Sequence, residues 1–219
     1  MNFLELVKKA WDKAGQSGDG PASVSGVAGH QKRFVGWVRD AWLDIQREST
    51  EWAFLKSDKV CNLVAGQESF TLAQLALTDL QDVSAAYVLV NGQYQSMRVI
   101  RSPSSATNIL QQNKTPGFPL VCYFANDAFT FDSIPDANYQ IKIHYQRLPQ
   151  ELTTNADTPI CNAAYHDAIM WRAVKSYARF DEDQALYAEA TEQSEKILML
   201  MHSKLKPEIK FGASAFQCH

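Results

Sequence analysis

No two cysteines in this chain are spaced for a metal knuckle or a redox dithiol. Cys61, Cys122, Cys161 and Cys218 are scattered through 219 residues, and the pattern reads as four free thiols in a reducing compartment. There is no run approaching the roughly 18 consecutive apolar residues that a membrane helix needs. Met1 to Ala14 breaks its apolar pattern with Glu5, Lys8, Lys9 and Asp12, which an export signal does not do. A soluble chain made in the cytoplasm is therefore expected. Excess positive charge is also missing: 21 Lys and Arg stand against 24 Asp and Glu, a net charge of -3, so global electrostatics would not draw nucleic acid to the protein. Phosphate-binding glycine loop, G-x-S-x-G elbow, HExxH pair and calcium loop are all absent. No cofactor and no metal is expected, and an enzyme is not the first reading.

What is present is a layout. Composition is that of an ordinary globular chain, 46% hydrophobic and 21% charged. Phe3, Leu4, Leu6, Val7, Ala10, Trp11 and Ala14 recur at helical steps and predict a short amphipathic helix stopped by Gly15. Gly15 to Gly29 holds five glycines, a proline and three serines, a flexible connection whose length hints at contact with a neighbour. A second helix is predicted from Gln31 to Trp52, with Phe34, Trp37, Val38, Ala41, Trp42, Ile45 and Trp52 along one face. Three tryptophans there could form a ligand cage, but aromatics dominate core burial, and a bundle core is the plainer reading.

From Cys61 to Gln146 the pattern changes to short alternating runs. Val60–Val64 and Ser69–Leu72 flank Ala65-Gly66-Gln67-Glu68, a predicted hairpin. Ala85–Val90 and Tyr94–Ile100 flank Asn91-Gly92, and Leu120–Phe124 and Ala128–Phe131 flank Asn126-Asp127. Tyr139–Tyr145 alternates Ile141, Ile143 and Tyr145 against Lys142 and His144. Between them, Ser102 to Gln112 reads as a short helical or irregular stretch. Six or seven short strands of this kind predict a small antiparallel sandwich or barrel. Two further helices follow. The first carries Tyr165, Ala168, Ile169, Ala173, Tyr177 and Phe180; the second carries Leu186, Ala190, Ile197, Leu200 and Met201, with Asp181-Glu182-Asp183 between them.

The expected fold is α+β: an α-helical bundle built from N- and C-terminal helices, an inserted antiparallel β-sandwich or barrel-like region, and an extended C-terminal arm. The expected divisions are 1–58, 59–149, 150–204 and 205–219. The bundle core is assigned to Phe34, Trp37, Trp42, Ile45, Ile169, Tyr177 and Ile197, since the flanking helices must cover each other's apolar stripes. Few residues invite chemistry. His166-Asp167 resembles a metal doublet, yet the other histidines are scattered, and a surface or capping histidine is the plainer reading. Asp79, Asp82, Asp127, Asp132 and Asp136 fall beside turns, where Asp is expected for its local hydrogen bonds. The tail is different: Lys204, Lys206 and Lys210 face one acid, Glu208, Pro207 stops the helix, and Ile209, Phe211, Ala213, Ala215 and Phe216 follow. Apart from fraying, such a tail fits an arm that folds onto a partner through aromatic anchors.

Several segments, in their order and spacing, resemble the head-to-tail adaptor proteins of tailed bacteriophages, also called head completion or connector proteins. They are the start Phe3–Ala14, Glu51-Trp52-Ala53-Phe54-Leu55, the hairpin Val64–Leu72, Pro116-Gly117-Phe118-Pro119, the exit Ile143–Pro149, the crossing Leu152–Pro159 and the helix opening Tyr165-His166-Asp167. That resemblance implies a virion structural protein: a ring, commonly of about twelve subunits, under the portal protein, through which DNA passes without sequence-specific binding and to which tail or nozzle proteins attach. It also implies that the arm, with Lys206, Pro207, Ile209, Lys210, Phe211 and Phe216, binds the portal. Slight acidity suits a lumen in which DNA must slide, because a basic wall would hold phosphates. Two other classes stand beside it: a tail-associated β-domain that binds a carbohydrate or protein ligand, and an enzyme built around His166-Asp167.

Overall fold

The structure, a computed structural model, describes residues 1–102, 106 and 114–205. It divides into two compact units, one made of residues 1–54 and 149–219 and the other of residues 55–148. The C-terminal arm and most of the stretch from Ser102 to Gln112 lie outside the described residues.

The first unit holds four helices among the described residues: α1 (Phe3–Lys13), α2 (Gly29–Arg47), α3 (His166–Phe180) and α4 (Gln184–Leu205). Helix α1 starts in a capping box, with Glu5 N–H donating to Asn2 Oδ1 at 2.9 Å and Asn2 N–H donating to Glu5 Oε2 at 3.0 Å. Each bond satisfies a donor that a helix start would leave open. Helix α2 buries Phe34, Val35, Val38, Ala41, Trp42 and Ile45. It ends at Arg47 rather than at Trp52, because Ser49 Oγ accepts the Glu51 N–H at 3.1 Å and offers the backbone a local alternative to the helix. Trp52 still belongs to the core: its indole N–H donates to the carbonyl of Ile45 at 2.8 Å, satisfying an orphan acceptor of the last turn.

Helix α3 lies against α1, α2 and α4. The joint with α2 is aromatic. Phe34 stacks on Tyr177 at 5.2 Å between ring centroids and meets Trp11 and Trp37 edge-on at 5.0 and 5.2 Å. A buried amide adds direction: Gln46 donates to the Gln150 carbonyl at 3.0 Å and accepts the Gln150 N–H at 2.7 Å. The turn into α4 places Glu182 at φ +59, and Asp183 Oδ1 caps the helix by accepting the Leu186 N–H at 3.0 Å.

The connection Gly15 to Gly29, expected to be flexible, is pinned. Trp11 donates to the Ser17 carbonyl at 3.2 Å, and Val24 N–H donates to Asn155 Oδ1 at 2.8 Å. Gly20 crosses the Trp11 ring so closely that a Cβ there would sit 3.2 Å from Trp11 Cγ, and its φ is +70. The loop 153–158 that holds Val24 is itself tied. Asp157 accepts from the N–H groups of Thr153 and Thr154 at 2.6 and 2.8 Å, and from the Thr154 hydroxyl at 2.5 Å. These bonds, the Thr154 hydroxyl first, pull its carboxyl down to about 2.

The second unit is a curled sheet of seven strands: β1 (Lys56–Leu63), β2 (Ser69–Thr71), β3 (Leu80–Val90), β4 (Gln93–Ile100), β5 (Val121–Ala125), β6 (Ala128–Phe131) and β7 (Tyr139–Arg147). Their order is β1-β7-β3-β4-β5-β6-β2. Asn91 and Gly92, at φ +51 and +77, turn β3 into β4, and Asn126 and Asp127, at +51 and +57, turn β5 into β6. Two features differ from the sequence reading. β4 and β5 run parallel, with Arg98 beside Val121, which the long connection between them allows. The turn at Gly66 does not close a hairpin. Its bordering strands go to opposite edges: β1 aligns with β7 from Lys56↔Gln146 to Leu63↔Tyr139, and β2 sets Phe70 beside Phe129. The turn is held instead by Gly66 N–H on the Pro135 carbonyl and Ala65 N–H on Asn138 Oδ1. Leu63, Phe70, Leu77, Val88, Phe129, Phe131, Ile141 and Ile143 fill this unit's core.

Trp42 is fully buried, whereas Ile197 is half-buried. Trp42→Ala is expected to lower the unfolding free energy by about 3–5 kcal/mol. Ile197→Ala should cost less, below about 2 kcal/mol. Urea denaturation of both variants measures the difference, and equal losses would contradict this packing.

Candidate assembly surfaces

Of the residues assigned to the bundle core, Phe34, Trp42, Ile45, Ile169 and Tyr177 are buried, and Trp37 and Ile197 are half-buried. Tyr177 also donates its hydroxyl to Asp181 at 2.9 Å; burial first, and then that carboxylate, push the phenol up to about 12. Lys206, Pro207, Ile209, Lys210, Phe211 and Phe216 lie outside the described residues.

The His166-Asp167 pair is a joint inside the bundle. His166 is buried rather than on the surface: its Nε2 lies 3.2 Å from the Cys161 carbonyl and its Nδ1 3.0 Å from the Met1 amine. Those partners define a neutral ring that donates to the carbonyl and accepts from the amine. Burial holds its pKa below the ordinary histidine value. Asp167 points the other way and pairs with Lys9 at 2.6 Å, fastening α1 to α3. Among the described residues, no three His, Cys, Asp or Glu side chains gather where they could hold a metal.

The acids beside turns are similarly engaged. Asp79 accepts the Tyr145 hydroxyl at 3.0 Å, Asp132 accepts two backbone N–H groups at 3.1 Å, and Asp136 accepts the Tyr139 hydroxyl at 2.6 Å. Asp82 faces Arg101 at 3.4 Å, and Asp127 occupies the β5–β6 turn. Cys61, Cys122 and Cys161 are buried and free; burial pushes the thiols of Cys122 and Cys161 up to about 12, so neither is a ready nucleophile. Of the aromatics in the sheet, Phe70, Phe129 and Phe131 are buried, while Tyr94 and Phe118 are exposed.

The surface that the first unit leaves unexplained lies on its helices. α4 packs onto α3 through Ala190, Ser194, Leu198 and Met201. This ridge, at steps of four and three, starts with small residues that let the helices approach closely. It turns Leu200, expected in the buried stripe, outward to 53% exposure, with Met199 at 68%. The sequence carried the signal in Ala190 and Ser194, but small residues weigh little in a hydrophobic pattern. Met199 and Leu200 thus form an exposed apolar face on a helix whose other face is already packed. Grooves run on both sides of Met199. One is lined by Glu192, Glu195, Lys196 and Leu200; the other by Glu48, Glu195, Leu198 and His202. At the far end of the α3–α4 hairpin, Phe180 is 47% exposed. The Arg33 guanidinium lies 4.4 Å from its ring centroid, and His30 meets the ring edge-on at 6.1 Å. No helix among the described residues is long and apolar enough to cross a membrane.

His166→Gln removes the titrating ring while keeping a polar side chain of similar reach. The folded-state pKa lies below the unfolded value, so the native state holds this ring neutral. That stabilisation is complete above about pH 6.5 and is lost as pH falls toward the folded-state pKa. His166→Gln should therefore melt below wild type at pH 8, and the gap should narrow at pH 5.5. A gap independent of pH in thermal melts would contradict it.

No curated protein matches the chain. The family model for the SU10 adaptor protein matches residues 1–203, spanning both units and ending inside α4. The chain thus belongs to the SU10 adaptor protein family, a family of phage head–tail adaptors.

Proposed function

We propose that the protein forms a ring beneath the portal of a tailed phage, with DNA passing through the ring and tail or nozzle proteins attached below it. Family membership makes it a phage adaptor, a virion component that associates with head and tail proteins. The observation that carries the ring is α4: a helix packed along one partner, with Met199 and Leu200 left open beside it. Uncovered apolar surface at a helix is the mark of a protein–protein contact. The role asks for no catalysis and no cofactor, and the net charge of -3 leaves a sliding duplex little to hold it. About twelve copies is the number that suits this class of ring. Assembly takes place in the host cytoplasm and ends in the virion.

The residues after α4 are assigned to portal attachment. Pro207 forbids continuation of the helix, and Ile209, Phe211 and Phe216, with Lys206 and Lys210, give a short segment apolar anchors and positive charge. Aromatic anchors of this kind are the residues that carry most interface energy.

Deleting residues 206–219 should leave the melting temperature within a degree or two and weaken co-sedimentation with the portal protein of the same phage at least tenfold. Undiminished binding would remove the arm from portal attachment. Wild-type protein that never co-sediments with the portal would remove the adaptor ring itself.

A further inference from the structure

Helix α4 carries two exposed apolar side chains on its outer face, Met199 and Leu200. They border grooves lined by Glu192, Glu195 and Lys196 on one side and by Glu48 and His202 on the other. Acid and base stand side by side there, so charge does not select an occupant. Reach does. The chain that follows α4 leaves the helix at the foot of this face. Pro207 lacks the N–H that another turn would need, and it disfavours helical geometry at Lys206. Residues 206–219 are thus directed off the helix axis at a point beside the groove, with Ile209, Phe211 and Phe216 as their large apolar side chains.

We propose that, in the free subunit, residues 206–219 fold back along α4 and lay Phe211 and Phe216 over Met199 and Leu200. The distances allow it. Met199 lies about 9 Å before Leu205 along the helix, and Glu192 about 20 Å before it. An extended chain of this length spans about 45 Å, so both phenylalanines reach the groove after a turn. Tethering favours this occupant over a second copy. A segment joined by a short connection meets the groove at an effective concentration of about millimolar, whereas another subunit must be gathered from solution. Aromatic rings laid on Met199 and Leu200 then remove apolar surface from water on both sides of the contact.

The cover rests on this geometry; its consequence rests on the ring reading. One segment cannot lie on α4 and on the portal at once. While it lies on α4, the anchors assigned to the portal and the face assigned to a neighbouring subunit hide each other. Portal binding draws the segment off and opens that face, so each event favours the other by linkage. Subunits then join on the portal and not ahead of it. A segment that the portal can draw away holds the groove weakly, which keeps its contribution to the melting temperature small.

The test is the rate at which a thiol in the groove reacts with an aromatic disulfide reagent, in a Cys218→Ser background where Cys61, Cys122 and Cys161 are buried. The probe is Lys196→Cys, which lines the groove and leaves Met199 and Leu200 in place. Deleting residues 206–219, or replacing Phe211 and Phe216 together by alanine, should speed the reaction about fivefold, as for a groove that is free a fifth of the time. The gain should be the same at every protein concentration. Ala185→Cys, exposed at the start of α4, should react at one rate with and without the segment. Equal rates for Lys196→Cys with and without the segment would overturn the cover. So would a protection lost on dilution, which would make the occupant a second copy. None of these rates involves the portal. A protein that shows the protection yet never co-sediments with its portal would keep the cover and lose the ring reading.

Discussion

The aromatic joint between α2 and α3 is the contact on which the rest of the molecule depends. Phe34 meets Trp11, Trp37 and Tyr177 at 5.0 to 5.2 Å between ring centroids, and Trp37 meets Tyr177 at 6.0 Å, in stacked and edge-on pairs. These residues come from segments more than a hundred positions apart, so the joint closes only if the intervening chain returns to where it left. The sheet provides that return. Its first strand and its last lie side by side, with Lys56 opposite Gln146, so the chain enters and leaves the second unit at one place. An insertion built this way costs the bundle little beyond the entropy of closing a large loop, which grows slowly with length.

Polar contacts then fix what the aromatic joint only brings together. Gln46 binds both backbone groups of Gln150, Trp52 closes the end of α2, and His166 with Asp167 fastens the start of the chain to α3. Each is a group that burial or a helix end would otherwise leave without a partner. The same logic accounts for the residues that resemble chemistry. A buried neutral histidine between a carbonyl and an amine, and aspartates that hold turns, have their hydrogen-bonding capacity used in place.

Much of this was legible in the sequence, for a physical reason. Helical periodicity is strong where a helix has one apolar face, as α1 and α2 do, and Asn91-Gly92 and Asn126-Asp127 mark turns because those residues tolerate positive φ. Other features were not legible, three of them on physical grounds that can be named. The end of α2 came early, since one serine side chain competing for a backbone N–H is invisible to a periodic pattern. The turn at Gly66 was legible but not its consequence, because strand partners are chosen by distant residues such as Phe129 and Ile141. The phase of α4 was misplaced at Leu200, because the buried ridge is built on Ala190 and Ser194. That last difference matters for the proposed function. A leucine assigned to the core is instead on the surface.

The central claim is that this subunit is made to be covered by copies of itself beneath a portal. Electron microscopy of the purified protein mixed with the portal protein of the same phage tests it most directly. The account predicts a closed ring stacked on the portal, with α4 of each subunit buried against the next. Subunits that bind singly, or a ring whose α4 faces open solvent, would contradict it.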